Sequence, residues 1–435
     1  MGHSIIYPGL HYLLFSFLEK LQITDPQMKM TVVRVLHAFY SMLTVFAGYR
    51  IAAVIADKRQ ARIAGLVLAL LWILPVLSVR NLIEMVCIPP AMLGLYFGIK
   101  GDKTKKLHFW IFAGLAFGLA FAFRYQTILF PAAMGLVLII QRRGKPLAVL
   151  ALSTVAGLFL LQGITDWIAW GYPFAAFLRY LAYNIQGRYS FIVAPWYNYL
   201  ILLAGALIPP ISFLWLFGYL RTWKKAPLLF FPTLIFLLFH SYFPNKQERF
   251  ILPAVPLIII LGICGWLQYA VSSEFWQKHF RLHRGIWAWF WVVNLILLFM
   301  VTPAYTKKNR VESLYQLSKQ PDVKAVVFES SRSSTPNPPT FYLNKEVPIY
   351  PYPKGFPAEK LQAEILRKHR VFPNYIIFLG QKNIEERVKA FERDFNKKLE
   401  RISTIHPSFI DKLLHRLNPE HNVNQTSYIY RINPA

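Results

Sequence analysis

The sequence reads His240-Ser-Tyr-Phe-Pro-Asn-Lys-Gln-Glu-Arg-Phe-Ile-Leu-Pro253 between two apolar runs, Pro227–Phe239 and Phe250–Ala270. This short connection carries four ionisable side chains: His240, Lys246, Glu248 and Arg249. Ionisable groups at a bilayer boundary are costly, and they mark a functional site by default. Two cations, a carboxylate and an imidazole suit a phosphate and the hydroxyls of a sugar. The alternative is a solvated loop with ordinary interfacial charges.

The composition indicates a membrane protein with several spans. Of the 435 residues, 55% are hydrophobic and only 16% are charged, below the roughly one quarter that is typical of soluble domains. Several apolar runs reach the ~20 residues that a helix needs to cross a bilayer. Cys87 and Cys264 both lie in apolar runs, which argues against a disulfide framework.

The net charge of +27 does not point first to nucleic acid. Much of the basic charge lies in short loops between apolar runs, where positive charge is retained on the cytoplasmic side. One set of alternate loops holds sixteen Lys and Arg residues and the opposite set holds six. The connection from His240 to Arg249 belongs to the second set, and we therefore expect it on the extracytoplasmic side.

We predict an all-α polytopic membrane bundle with a small C-terminal α/β domain. Residues 1–30 are expected to lie at the interface, residues 31–304 to form the membrane domain, and residues 305–435 to form an extracytoplasmic soluble domain. In that domain the sequence predicts strands over Ala325–Phe328 and Tyr375–Leu379, and helices over Ala358–His369 and Asn383–Asp394. About ten spans are predicted: Thr31–Ala56, Ala61–Val79, Leu82–Ile99, Leu107–Phe123, Gln126–Ile140, Pro146–Ile164, Tyr197–Leu220, Pro227–Phe239, Phe250–Ala270 and Gly285–Ala304.

Polar side chains gather in the extracytoplasmic set of loops. The substrate-binding candidates are Arg80, Arg124, Gln126, Asn184, Trp196, His240, Lys246 and Arg249, and the catalytic carboxylate candidates are Glu84, Asp166 and Glu248. Each has a simpler explanation. Arg80 and Glu84 can pair across one helical turn, Arg124 can anchor a helix at the interface, and tryptophans form interfacial belts. An anionic lipid-linked substrate explains why four cations share one face.

These fragments together resemble the membrane mannosyltransferases that use dolichyl-phosphate-mannose, glycosyltransferase family 22 with the GT-C fold. The hallmark of that family is a His-Lys-Glu-x-Arg-Phe run in an outward loop, followed by Leu/Ile-x-Pro. Here the corresponding run is Lys246-Gln-Glu-Arg-Phe250, with His240 further upstream. Four further matches occur in the same order along the chain: Arg80-Asn-Leu-Ile-Glu84, Phe123-Arg-Tyr-Gln126, Asp166-Trp-Ile-Ala-Trp-Gly171, and Asn184 followed by Pro195-Trp196.

The resemblance implies transfer of a hexose, mannose in the family, from a polyprenyl-phosphate donor to a glycan or glycolipid acceptor with inversion. A carboxylate would take the proton from the acceptor hydroxyl, and Lys246, Arg249 and Arg124 would stabilise the leaving phosphate. The base of the family is an acidic residue of the first outward loop, which we expect upstream of Met1. Glu248, Asp166 and Glu84 are the alternatives within the sequence.

Neither a metal nor another cofactor is expected, because no Asp-x-Asp cluster accompanies the outward loops. The departures from the eukaryotic motifs favour a bacterial member in the inner membrane; a eukaryotic member would lie in the endoplasmic reticulum. The main alternative function is a transporter or flippase for a lipid-linked or anionic solute. Pro89-Pro90 and Pro209-Pro210 would then break helices near the midplane, as transporters do.

Overall fold

The computed structural model describes residues 3–187, 189, 192–368, 371–420, 422 and 425–434. The chain divides into two compact units. The first unit contains Met1–Gln22 and Thr31–Phe299, and the second contains Ile23–Met30 and Met300–Ala435.

The first unit is built from helices packed around one large apolar core. The helices that fall wholly or mainly in it are α1 Ile6–Lys20, α2 Pro26–Ile55, α3 Lys58–Leu70, α4 Ile73–Ser78, α5 Ile83–Val86, α6 Ile88–Thr104, α7 His108–Phe123, α8 Leu129–Ile140, α9 Gly144–Leu158, α10 Ile164–Trp170, α11 Ala175–Gln186, α12 Asn198–Ala206, α13 Ile211–Arg221, α14 Pro227–Tyr242, α15 Val255–Ser272, α16 Glu274–Lys278 and α17 Phe280–Val301. Short 3₁₀ turns at Tyr125–Ile128 and Glu248–Ala254 lead into α8 and α15.

The protein is an integral membrane protein. Among the described residues, five helices are long and apolar enough to cross a membrane, or six if α12 and α13 count as one bent span. The five are Pro26–Ile55, Ile83–Thr104, Gly144–Trp170, Glu248–Ser272 and Phe280–Val301. The predicted helical bundle is confirmed, and each of the ten apolar runs falls on helix. The runs Ala61–Val79 and Tyr197–Leu220, however, each contain an interruption of two to four residues and do not form one continuous helix.

The first interruption separates α3 from α4, within the predicted span Ala61–Val79. Asn294 of α17 supplies hydrogen-bond partners to the backbone at this interruption. Its Oδ1 accepts a hydrogen bond from the backbone N–H of Trp72 at 2.8 Å. The Nδ2 of Asn294 donates to the carbonyl oxygen of Leu70, also at 2.8 Å. Asn294 is fully buried, and a buried backbone group without a partner is strongly unfavourable.

The second interruption lies between α12 and α13, which meet at 118°. Pro209 and Pro210 stand in the connection. Proline lacks the N–H that an α-helix needs, and it disfavours helical backbone in the residue before it. The predicted span Tyr197–Leu220 is therefore bent.

Glycines allow two helix pairs to approach closely. A Cβ added to Gly118 of α7 would lie 2.6 Å from the carbonyl carbon of Gly157 on α9, and one added to Gly218 of α13 would lie 2.5 Å from the backbone nitrogen of Trp266 on α15. Small residues at such crossings let helix backbones pack tightly within a membrane. These pairs form a rigid base for the loops at the helix ends.

The second unit is a small α/β domain, as the sequence predicts. Its strands and helices are α18 Lys308–Ser318, β1 Val326–Ser330, β2 Ile349–Pro353, α19 Ala358–Lys368, β3 Tyr375–Leu379, α20 Ile384–Phe395, β4 Lys397–Ile405, α21 Phe409–Leu417 and β5 Ser427–Pro434. The predicted helix end at His369 lies outside the described residues. The five-stranded sheet has the order β2-β1-β3-β5-β4, with β1, β2 and β3 parallel and β5 antiparallel to β3 and β4.

A buried ion pair joins α20 to the end of β1 in this domain. Arg387 bonds both carboxylate oxygens of Glu329 and also donates to the carbonyl oxygens of Leu379, Gly380 and Lys382. Burial raises the pKa of the Glu329 carboxyl, although the guanidinium opposes that shift. Arg387 thus holds the ends of two parallel strands and the following loop together.

Replacing Asn294 by leucine should destabilise the first unit. Two partly buried backbone groups would each lose a partner, at about 1–3 kcal/mol apiece, so we expect a loss of about 2–6 kcal/mol. The midpoint of thermal unfolding of the purified full-length protein measures this change. Ile296→Ala on the exposed side of the same helix is the control, and equal midpoints for the two variants would contradict the role given to Asn294.

Replacing Arg387 by methionine should loosen the second unit. It leaves a buried carboxylate without its partner, which costs about 3–5 kcal/mol. Amide hydrogen exchange in β1 and β3 of the full chain should accelerate accordingly. Arg393→Met removes an exposed arginine of the same helix and should leave exchange unchanged. Equal protection in both variants would show that the buried pair contributes nothing.

Candidate active site

A polar cavity of about 580 Å³ lies in the first unit. Its walls come from the start of α1, the segment around α5, the turn after α7, one side of α11 and the connection between α14 and α15. Polar side chains supply much of the lining: His3, Ser4, Tyr7, Asn81, Glu84, Arg124, Gln126, Tyr180, Tyr183, Asn184, Asn245, Gln247 and Arg249. The cavity therefore collects polar residues from segments that are far apart in sequence.

Glu84 is the charged centre of this cavity. Its Oε1 lies 2.6 Å from Nη1 of Arg124 and 3.3 Å from Nε of Arg249. Glu84 is 2% exposed, and a buried carboxylate is stable only with cationic or hydrogen-bonding partners. Its Oε2 finds no partner among the described residues. One carboxylate thus holds two guanidinium groups, and the trio carries a net positive charge.

Arg124 is held between this carboxylate and an aromatic ring. It ends α7 in an extended backbone conformation, and its guanidinium carbon lies 5.1 Å from the ring centroid of Phe250, within cation–π range. The residue is 4% exposed, yet its Nε and Nη2 have no hydrogen-bond partner in the described part of the chain. Buried, unpartnered guanidinium N–H groups beside a cavity suit an anionic ligand.

Arg249 lies between two cavities. It lines the polar cavity and also a second, largely apolar cavity of about 440 Å³. Its side chain is 49% exposed, and its Nε also donates to Oε1 of Gln247 at 2.9 Å. An anion with an apolar tail therefore finds a cation and an apolar wall side by side.

Amides and aromatic rings form the remaining polar wall. Gln126 donates to the hydroxyl of Tyr180, and Nδ2 of Asn184 donates to the carbonyl oxygen of Tyr180 at 2.8 Å. The Tyr7 hydroxyl donates to Oδ1 of Asn81 at 3.4 Å. Amides and phenols bind sugar hydroxyls, and rings stack on sugar faces.

The structure thus brings five of the predicted site residues together: Glu84, Arg124, Gln126, Asn184 and Arg249. Lys246 lies next to them in sequence but is engaged elsewhere. Its ammonium donates to the carbonyl oxygens of His240 at 3.0 Å and Ser241 at 2.8 Å, and to that of Phe243. It therefore caps the end of α14, where a cation is favourable. Burial lowers the pKa of the Lys246 ammonium.

His240 is buried in the last turn of α14 and does not line the cavity. Its Nδ1 is 2.8 Å from the carbonyl oxygen of Phe236. Arg80 follows α4 outside the cavity lining, and Trp196 is 64% exposed beside Tyr197.

The other two predicted carboxylates also lie outside the polar cavity. Asp166 is fully buried, and its Oδ2 accepts a hydrogen bond from the backbone N–H of Ala176 at 2.9 Å. It therefore caps the start of α11. Glu248 is exposed and lines the apolar cavity. No group of three His, Cys, Asp or Glu side chains in the described ranges is arranged to hold a metal ion.

Sequence reasoning missed Asn245 and Tyr180 as members of the cavity. Asn245 stands directly before Lys246, and its position in the charged connection was the available signal. Tyr180 lies on α11 among several other aromatic residues, and nothing in its spacing distinguishes it from them.

Comparison with known proteins agrees with this architecture. The crystal structure of ArnT from Cupriavidus metallidurans bound to undecaprenyl phosphate is similar over 92% of this chain and 83% of that chain, with a TM-score of 0.55 and 13% identity. At that identity the likeness shows the fold alone, which is the GT-C arrangement of membrane glycosyltransferases.

Two curated fungal proteins are similar in sequence. GPI mannosyltransferase 3 of Saccharomyces cerevisiae is 26% identical over 177 residues, which is 37% of this chain and 27% of the relative. A probable Dol-P-Man:Man(7)GlcNAc(2)-PP-Dol alpha-1,6-mannosyltransferase of Schizosaccharomyces pombe is 28% identical over 181 residues, 40% of this chain and 32% of the relative. Each match thus spans less than a third of the relative's length.

A match to a whole family reaches further along the chain than either relative. The sequence profile of the Alg9-like mannosyltransferase family matches residues 3–338, which include every residue that lines the polar cavity. The chain belongs to the Alg9-like mannosyltransferase family.

Proposed function

We propose that this protein is a membrane glycosyltransferase that moves a hexose, mannose by family membership, from a polyprenyl-phosphate donor to a hydroxyl of a glycan or glycolipid. The observation that carries the proposal is the pair of guanidinium groups on Glu84, one of which has two buried N–H groups without partners. The name of the Schizosaccharomyces pombe relative supports a dolichyl-phosphate-mannose donor, and the structural neighbour binds undecaprenyl phosphate.

The reaction is a single displacement with inversion. The acceptor oxygen attacks the anomeric carbon and loses its proton to a base, and the bond from that carbon to the phosphate oxygen breaks. Negative charge then grows on the leaving phosphate. Arg124 and Arg249 are already held in place by Glu84, so they stabilise that charge without reorganising during the reaction.

Glu84 acts in this scheme as a positioning residue. Its Oε1 already contacts two guanidinium groups, so that oxygen is engaged in holding Arg124 and Arg249 in place. Asp166 caps a helix and Glu248 lines the other cavity. We therefore assign the proton acceptor to none of these three carboxylates.

The apolar cavity beside Arg249 gives the lipid end of the donor a place to lie. We propose that the polar cavity and the second unit are extracytoplasmic, because the lysine-rich alternate loops belong on the cytoplasmic side. The alternative of a transporter finds no support in the comparisons, since the family and both named relatives are mannosyltransferases.

Replacing Arg249 by alanine should lower kcat for sugar transfer by about 10²–10³-fold, the loss seen when one preorganised donor is removed from a transition state. The half-exposed position of Arg249 means that the protein should still fold. Transfer of radiolabelled mannose from a polyprenyl-phosphate donor to membrane acceptors measures the effect.

Arg179→Ala is the matched control, because Arg179 is an exposed arginine outside the cavity that lies over the ring of Trp170. Arg249→Lys should recover only part of the activity, since a point charge replaces a fork of two donors. An unchanged kcat in Arg249→Ala would show that the polar cavity takes no part in the reaction.

The reaction should not need a metal ion. Two guanidiniums supply the positive charge that a divalent cation gives to phosphate chemistry elsewhere. Transfer in the presence of excess EDTA should stay within about twofold of the untreated rate by the same reasoning. Abolition by EDTA, with recovery on adding Mg²⁺ or Mn²⁺, would contradict this expectation.

A further inference from the structure

Asn245 lines the polar cavity and has a buried side-chain oxygen without a hydrogen-bond partner in the described part of the chain. The residue is 6% exposed and lines the cavity together with Glu84, Arg124 and Arg249. Its Oδ1 is buried and finds no partner among the described residues. A buried acceptor left without a donor is unfavourable, so a group that lines a binding cavity in this state is suited to a ligand.

The backbone around Asn245 fixes the direction of its amide. The Nδ2 group donates to the carbonyl oxygen of Gly187 at 3.2 Å, and Asn245 pairs with Val193 as an isolated antiparallel bridge. The next residue donates its backbone N–H to the carbonyl oxygen of Ile192 at 2.8 Å. Because Oδ1 cannot face the carbonyl oxygen of Gly187, the amide is held in one orientation.

The unpartnered atoms of Arg124 and Asn245 require two different kinds of group on the ligand. Nε and Nη2 of Arg124 are donors and suit phosphate oxygens. Oδ1 of Asn245 is an acceptor, and a fully ionised phosphate has no hydrogen to give it. Its partner must be a hydroxyl or an N–H group. A sugar phosphate offers hydroxyl donors and phosphate acceptors within one molecule.

We propose that Asn245 is a specificity-determining residue whose Oδ1 accepts a hydrogen bond from one hydroxyl of the transferred sugar. This inference rests on the proposed function. Asn245 belongs to the same short connection as Arg249 and Phe250, which places it beside the groups assigned to the donor phosphate. The sugar attached to that phosphate is the hydroxyl-bearing group nearest to this connection.

The test uses polyprenyl-phosphate donors that carry mannose or its 2-, 3-, 4- or 6-deoxy analogue. Wild-type protein should show kcat/KM about 10–100-fold lower for one of the deoxy donors, because that donor leaves Asn245 unpaired. Asn245→Ala should lower kcat/KM for the mannosyl donor by a similar factor. It should show no further loss with that deoxy donor.

Two variants separate recognition from folding. Asn245→Asp keeps an acceptor oxygen but loses the donor to Gly187, and it should retain the discrimination that Asn245→Ala loses. Tyr242→Ala changes an exposed ring at the end of α14, just before this connection, and should behave as wild type. If Asn245→Asp and Asn245→Ala lose discrimination alike, the loop and not the acceptor atom is responsible, and the inference is wrong.

Binding of polyprenyl phosphate without a sugar provides a second readout. Its affinity, measured as protection against thermal unfolding, should be equal in wild type and Asn245→Ala but at least tenfold weaker in Arg249→Ala, because a hydrogen bond to a charged group is worth about 1.5–3 kcal/mol. The inference is wrong, while the proposed function stands, if Asn245→Ala still discriminates fully between the mannosyl and deoxy donors. The same holds if kcat/KM falls only when the acceptor is deoxygenated. Absence of transfer from every donor by wild type would overturn the proposed function instead.

Discussion

The buried carboxylate of Glu84 is the constraint on which the site depends. A carboxylate removed from water needs cations, and Arg124 and Arg249 supply them from two segments that are 125 residues apart in the chain. The pairing works in both directions. It neutralises the carboxylate, and it fixes two guanidiniums beside a cavity with one positive charge left over. That excess charge is what makes the cavity an anion site.

Such a site needs rigid surroundings. The interrupted helices provide them, because specific residues fix the place and the geometry of each interruption. Asn294 satisfies the backbone where α3 ends, the Pro209-Pro210 pair bends the span that α12 and α13 form, and close glycine crossings fix two helix pairs. Lys246 has a related task, since it closes the carbonyl end of α14 and so shapes the connection that carries Asn245 and Arg249.

The sequence predicts the class of fold well because apolar runs of membrane length have few alternative structures. It also singles out Glu84, Arg124 and Arg249 as candidates, because they gather in the loops predicted to be extracytoplasmic, and the structure brings all three to one cavity. Their mutual contacts do not follow from it: the sequence allows Glu84 to pair with Arg80 across one helical turn, whereas the structure pairs Glu84 with Arg124 at the end of α7 and with Arg249 in the turn before α15. Lys246 was expected on phosphate, and the structure engages it with three carbonyls instead. Asn245 is uncharged, and its role depends on which of its atoms is left without a partner.

The most direct measurement is a cryo-electron microscopy structure of the full chain in a lipid nanodisc with a polyprenyl-phosphate sugar. We expect phosphate density in contact with the free N–H groups of Arg124 and with Arg249, while Glu84 keeps its ion pairs. Phosphate bound elsewhere, with the Arg124 guanidinium still unoccupied, would contradict it.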